Sequence, residues 1–181
     1  MNIILNFQYL IVMSQAISVM ADNNVFSHLM GYHKRAITHW IMQSIALVFI
    51  TIGQSCIFIN KVRLGKPHYQ STHSILGLIT FLLTIMTAVG GIFTKYSYQL
   101  RNYMKPLHIK MVHSFVGVLT YTMAALTISF GIYSRAWKNE DDAWVLSMLE
   151  AIIIISTPYV IWSSIRLLVN RSITSFIRPN M

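Results

Sequence analysis

Long stretches without any charged residue divide this sequence. Each of five segments holds about 20 uncharged residues, enough to cross a hydrocarbon core of roughly 30 Å as a helix. Unpaired backbone groups are not tolerated in lipid, and runs this rich in Leu, Ile and Met are too continuous for barrel strands. The sequence therefore predicts an all-α integral membrane protein, a single domain over residues 1–181. Its bundle of five transmembrane helices is expected at Ile3–Met20, Thr38–Ile59, Thr72–Phe93, Met111–Tyr133 and Ala143–Leu168.

Composition and charge agree with this class. Only 10% of the residues are charged and 55% are hydrophobic, whereas soluble domains carry about 25% charged residues. The net charge of +9 is spread over the ends of the predicted spans, which is typical of membrane flanks rather than of a nucleic-acid surface. We therefore expect the lipid bilayer as a partner and no nucleic acid. The segment before Asp22 lacks a basic start and is interrupted by polar residues, so we interpret it as a retained span.

Lys and Arg in the connections predict the orientation. Nine of them flank one side of the predicted bundle and five flank the other. The positive-inside rule places the nine-charge side, which includes the C-terminus, in the cytosol. The nine are Lys34, Arg35, Lys95, Arg101, Lys105, Lys110, Arg166, Arg171 and Arg178, and the five are Lys61, Arg63, Lys66, Arg135 and Lys138.

Three consecutive spans begin with a histidine. From each of His39, His73 and His113, the same uncharged interval separates the imidazole from the next charged residue, which is Lys61, Lys95 or Arg135. At 1.5 Å per residue this interval is roughly 30 Å, one membrane thickness. Spans two and four run in the same direction, so His39 and His113 enter from the same, cytosolic, face. His73 lies near the opposite face.

Two neutral imidazoles that face each other in an apolar bundle are suited to a haem iron, which takes two axial histidines. Zinc would require further ligands that do not accompany these histidines, and a proton relay usually recruits Asp or Glu. The simpler alternative is that each histidine is an ordinary polar residue at a helix entrance. Ionisable residues within membranes are nevertheless functional candidates by default. Gly77 and Gly117, four residues after their histidines, would let the helices approach closely.

The sequences around these histidines resemble those of the eukaryotic cytochrome b561 family, in its short branch of cytochrome b561 domain-containing proteins. The matching pieces are "KRAITHW", "LGKPHYQSTHSILGL" and "LHIKMVHSFVG". The resemblance implies six transmembrane helices and two b-type haems, each held by two histidines, that pass electrons from cytosolic ascorbate to monodehydroascorbate or ferric iron on the far side. His39 and His113 match the ligands of the cytosolic haem. His73 matches one ligand of the far-side haem.

The same resemblance implies a fourth histidine at the start of the helix that corresponds to Ile3–Met20, and the chain has none there. In the other spans, a fixed uncharged interval separates the histidine from the next charged residue. The same interval counted backwards from Asp22 places the expected ligand just before Met1. We therefore expect an N-terminally truncated chain that lacks the family's first helix. One haem site is then complete, and His73 is a ligand without its partner.

Basic clusters at the two membrane faces are candidate substrate sites. Lys34, Arg35 and Lys110 lie where haem propionates would emerge and where ascorbate could be held on the cytosolic side. Lys66 and His68 are candidates for the far-side acceptor. Both clusters are equally well explained as membrane flanks. His68 and His108 each precede a predicted ligand by five residues, and both are expected in loops.

The sequence thus predicts haem b-containing transmembrane electron transfer, an ascorbate-dependent reductase of monodehydroascorbate or ferric iron, impaired by the missing ligand. One alternative is a non-enzymatic membrane protein that binds no haem or that regulates full-length relatives. Another is a small transporter or proton pathway. The resemblance implies an endomembrane location. A second copy of the chain is a candidate partner, although the sequence does not fix the oligomeric state.

Overall fold

The computed structural model describes residues 2–21, 29–136 and 143–177, and the statements below concern these residues. They form five helices and no strand: α1 (Asn2–Ser18), α2 (Tyr32–Arg63), α3 (Thr72–Lys95), α4 (Pro106–Ala136) and α5 (Ala143–Ile177). The all-α prediction is confirmed. Four of these helices, α2 to α5, are long and apolar enough to cross a membrane. Helix α1 has 17 residues, at the lower end of the range of about 17–25 that spans need.

The longer helices extend beyond the uncharged segments, and this corrects one prediction. Helix α4 begins at Pro106, because proline at the first helical position is preset for the helix and its missing N–H is not needed there. His108, expected in a loop, therefore lies exposed in the first turn of α4. His68 does lie in the connection between α2 and α3, as predicted. Helix α3 begins sharply, because Ser71 and Ser74 form a reciprocal capping box.

Helices α1 to α4 are arranged as a ring, in which α1 packs on α2, α2 on α3, α3 on α4, and α4 on α1. In such a ring, α2 faces α4 across the centre and α1 faces α3. Helix α5 packs outside the ring, against α4 and α1. The centre of the ring, between diagonally opposed helices, is therefore the place where a flat group could be held.

The two ends of the ring are distinguished by their histidines. The Nζ atom of Lys95, at the end of α3, lies 5.0 Å from the ring centre of Trp40, near the start of α2, so these two helices are antiparallel. We call the end that carries His39 and His113 the His39 end. The opposite end, where His73 and Lys61 line one pocket, is the His73 end.

Buried hydroxyl groups connect the helices between these ends. The hydroxyls of Thr87 and Thr120 lie 2.7 Å apart, and those of Thr80 and Thr127 lie 3.0 Å apart; both pairs join α3 to α4. Tyr9 of α1 reaches across the ring to Thr84 of α3, at 2.8 Å. Polar contacts of this kind hold membrane helices together, because lipid supplies no alternative partner. The outward faces are apolar, with large exposed side chains that include Met86, Phe115, Ile154 and Ile155.

Candidate functional site

The structure brings together the two histidines that sequence spacing places at one depth. The rings of His39 on α2 and His113 on α4 have their centres 6.3 Å apart and their planes at 90°. A bond between an imidazole nitrogen and a first-row metal is about 2.0–2.1 Å long, and the ring centre lies roughly 1 Å further away. Two imidazoles on opposite sides of one iron therefore have centres about 6 Å apart. The observed separation matches this requirement.

A backbone contact sets the protonation of His39. Its Nδ1 atom lies 2.7 Å from the carbonyl oxygen of Ala16 on α1. Because a carbonyl oxygen can only accept, Nδ1 carries the proton, and Nε2 of the neutral ring keeps the lone pair that binds a metal. Ligating histidines are commonly oriented in this way by a second hydrogen bond. Helix α1 thus orients a candidate ligand that is carried by its neighbour α2.

His113 is seated against two consecutive glycines of α3. A Cβ atom added at Gly90 would lie 3.4 Å from His113 Nδ1, and one added at Gly91 would lie 3.5 Å from Cε1. The imidazole therefore faces the glycine backbone of α3, at a distance that would leave an added methyl group in ordinary van der Waals contact.

Cations lie one helical turn outside each of these histidines. Arg35 precedes His39 by four residues on α2, and Lys110 precedes His113 by three on α4, so each cation shares a helix face with its histidine. Both side chains are half-buried, and Lys34 is exposed beside them. The mouth of the His39 end is therefore positively charged, as carboxylates of a haem or an anionic reductant would require.

A haem fits the residues at the His39 end, because the ring separation, the tautomer of His39 and the flanking cations all meet its needs. A structural zinc ion has no such candidate set. In the described parts of the chain, no three side chains of His, Cys, Asp or Glu come together, whereas structural zinc usually takes four such ligands.

His73 lies at the other end of the bundle, on α3. Its Nδ1 atom donates to the carbonyl oxygen of Thr127 on α4, at 2.8 Å, which leaves Nε2 with its lone pair as in His39. A pocket of about 190 Å³ adjoins this ring, smaller than the roughly 300–1,000 Å³ of typical cofactor and ligand pockets. Helix α1 lines the pocket with Asn6 and Tyr9.

Of the two far-side candidates, His68 lines this pocket and Lys66 does not. His68 lines it and stacks on Phe58, with ring centres 4.7 Å apart and planes at 25°. Lys66 is exposed and does not line the pocket. Lys61 does line it, and its Nζ donates to the carbonyl oxygen of Pro67 at 3.1 Å.

Gly77 and Gly117, chosen from the sequence, both face neighbouring helices, where an added Cβ atom would meet other atoms in ordinary van der Waals contact, at 3.5 Å and 3.9 Å. The tight position is Gly131 on α4, where a Cβ would lie 2.8 Å from His73 Cε1. The sequence does contain a pattern that could have indicated Gly131. Gly91 follows His73, and Gly131 follows His113, at the same interval, which is about five helical turns.

Comparisons with known proteins identify the family of this chain. The model of the family described as eukaryotic cytochrome b561 matches residues 3–139. The chain is similar to proteins named transmembrane reductase CYB561D2, from human (26% identical over 90 residues), from cattle (24% over 90) and from mouse (24% over 89). Each match covers about half of this chain and 40% of the relative's own length. No solved structure matches the chain.

Proposed function

This chain belongs to the eukaryotic cytochrome b561 family, and we propose that it is a transmembrane electron-transfer protein that holds one haem b between His39 and His113. The observation that carries the proposal is the 6.3 Å separation of the two rings. The names of its relatives, transmembrane reductases, support a reductase activity. The four long apolar helices make the chain a multi-pass membrane protein.

Haem supplies a one-electron redox centre when bound. His39 and His113 would hold it, and the carbonyl of Ala16 accepts the proton of His39 Nδ1 in a hydrogen bond, which would leave the lone pair of Nε2 for the iron. Arg35 and Lys110, one turn outside these ligands, would pair with the propionates. Lys34 would attract the ascorbate anion to the same mouth.

Ascorbate is the proposed donor on the cytosolic side. It would lose one electron and one proton to become monodehydroascorbate. The acceptor on the far side would be monodehydroascorbate, which takes up one electron and one proton, or ferric iron, which becomes ferrous. Lys66 and His68 are the residues we propose for that acceptor, with His68 held against Phe58 at the pocket mouth. We place the chain in an endomembrane, with its C-terminus in the cytosol.

Difference spectra of the purified full chain in detergent test this proposal. Reduction by ascorbate, and then by dithionite, should each give a low-spin b-type spectrum. A haem-to-protein ratio near zero would refute the proposal, and would favour the non-enzymatic membrane protein. A haem spectrum that dithionite elicits and ascorbate does not would refute ascorbate as the donor and leave the ligand pair standing.

A further inference from the structure

The pocket beside His73 lies along the seam between α2 and α3. These two helices pack less extensively on each other than α1 does on α2 or α3 on α4. From Lys61, near the end of α2, the pocket follows three helical turns to Ile50. This distance is about 16 Å along the helix axis, roughly half of the hydrocarbon core. The pocket is therefore a cleft that reaches from one membrane face towards the middle of the bilayer.

The size of this pocket suits a single ring. Its volume is about 190 Å³, and an engineered cavity of about 150 Å³ in another protein binds benzene. Much of its wall is apolar, with Ile50 and Ile57 from α2 and Ala124 and Ile128 from α4. The pocket therefore favours a ligand whose enclosed part is one flat, largely apolar ring.

The hydroxyl protons on the inner wall are already used in hydrogen bonds. Each hydroxyl has one proton. Thr127 donates its proton to the carbonyl oxygen of Met123, so Thr80 is the donor in the 3.0 Å contact between Thr80 and Thr127. Thr84 donates to the carbonyl oxygen of Thr80, so Tyr9 is the donor in its 2.8 Å contact with Thr84. Tyr9 and Thr80, which line the pocket, can therefore only accept from a ligand.

Two further side chains of the wall present acceptors. The Nδ1 atom of His73 donates to the carbonyl oxygen of Thr127, which leaves the lone pair of Nε2. The Nε2 atom of Gln54 donates to the carbonyl oxygen of Gly77 at 3.3 Å, which leaves Oε1 as an acceptor and one N–H as a donor. Of the described residues that line the pocket, none is Asp or Glu, whereas Lys61 is a cation. The wall thus favours an uncharged or anionic ligand that brings its own hydroxyl protons.

We propose that this pocket binds the ring of a membrane-soluble hydroquinone. Its two phenolic hydroxyls donate to Gln54 Oε1 and His73 Nε2, which belong to different helices. The ring packs against the apolar wall, and the apolar tail of the ligand leaves between α2 and α3 into the lipid. The binding does not require a haem at the His39 end, so the inference goes beyond the proposed function.

A porphyrin is the competing occupant of the same space. His68 and His73 both line the pocket, and a haem held between these two histidines would exclude the hydroquinone. His68 stacks on Phe58, in the connection outside the helices, whereas the acceptors that select the hydroquinone lie deeper. The experiment below distinguishes the two occupants.

Isothermal titration calorimetry of the purified full chain in lipid nanodiscs, with decylhydroquinone as the probe, tests the proposal. The matched control ligand is decylbenzene, which has the same ring and tail but no hydroxyls, and it should bind about tenfold more weakly or less. The variant Gln54→Leu should weaken the binding of decylhydroquinone by about tenfold. Gln8→Leu is the matched control variant, because Gln8 is exposed on α1 and does not line the pocket, and it should leave the affinity unchanged.

Three results would overturn the proposal. Equal affinities for decylhydroquinone and decylbenzene would show that the ligand only partitions into the lipid, and an unchanged affinity in Gln54→Leu would show that it binds elsewhere. Displacement of decylhydroquinone by an equal concentration of ascorbate would identify a water-soluble ligand instead. A haem-to-protein ratio near two that falls to one in His68→Ala would assign the pocket to a porphyrin. The titration does not depend on the haem spectrum, so a failure of the proposed function is distinguishable from a failure of this inference.

Discussion

The imidazole of His73 lies directly on the backbone of Gly131. A Cβ atom at position 131 would stand 2.8 Å from Cε1 and 2.9 Å from Nδ1 of the ring, closer than side chains approach one another. The ring cannot easily turn away, because its Nδ1 donates to Thr127 on the same helix. The position of the His73 ring thus depends on the absence of a side chain at Gly131 of α4.

Replacing Gly131 by Ala should therefore destabilise the protein. The added methyl group forces the ring or the helix to move, which typically costs about 1–3 kcal/mol, more than the roughly 1 kcal/mol that alanine contributes to helix stability over glycine. Chemical or thermal unfolding in detergent measures the difference. Gly91→Ala is the matched control, since its Cβ would meet His113 at an ordinary 3.5 Å.

In the background of His73→Ala, the change Gly131→Ala should cost little stability, because the clashing ring is then absent. Equal stability of Gly131→Ala and Gly91→Ala would contradict the proposed contact.

The hydroxyl pair Thr87 and Thr120 should contribute to the packing of α3 on α4. We expect a coupling free energy of about 0.6 kcal/mol between Thr87→Val and Thr120→Val, as is usual for hydrogen bonds between membrane helices. A double-mutant cycle on the free energy of unfolding measures it. Thr122 is a control, because its hydroxyl donates to Val118 within its own helix. Additive effects for Thr87 and Thr120 would show that their hydroxyls do not interact.

The spacing of the sequence predicted that His39 and His113 lie close together, but it could not predict the residues that contact the histidines. The proximity of His39 and His113 follows from span length and alternating direction, both of which are visible in the distribution of charges. The role of Gly131, and that of the threonines, depends on which face of α4 meets α3. The rotation of α4 about its own axis is determined by the packing of all four helices of the ring. A span that is apolar on every side contains little sequence information about this rotation. The predicted span began only after Lys110, because it was defined by the absence of charge. The helix itself begins at Pro106, between two charged residues, Lys105 and Lys110.

Ascorbate should reduce the haem more slowly when the cations of the His39 end are removed. We expect a fall of about tenfold at low ionic strength for the combined change of Lys34, Arg35 and Lys110 to Gln, since steering by such charges is worth roughly 10–1,000-fold. Stopped-flow absorbance gives the rate, and the amplitude reached with dithionite shows that the haem is retained.

Lys66→Gln, at the His73 end, is the control for that experiment, and it should leave the rate with ascorbate unchanged in detergent. If Lys66→Gln slows ascorbate as much as the triple variant does, the proposed donor side is wrong. Added salt should slow the unmodified chain and have little effect on the triple variant.

The central claim is that His39 and His113 hold one haem between them, and the spectra of two single variants test it most directly. His113→Ala should abolish the low-spin b-type spectrum of the chain as purified. His108→Ala removes a histidine that lies earlier on the same helix, where the side chain is exposed, and it should keep the spectrum unchanged. A normal low-spin spectrum in His113→Ala, at the haem-to-protein ratio of the unmodified chain, would contradict the claim.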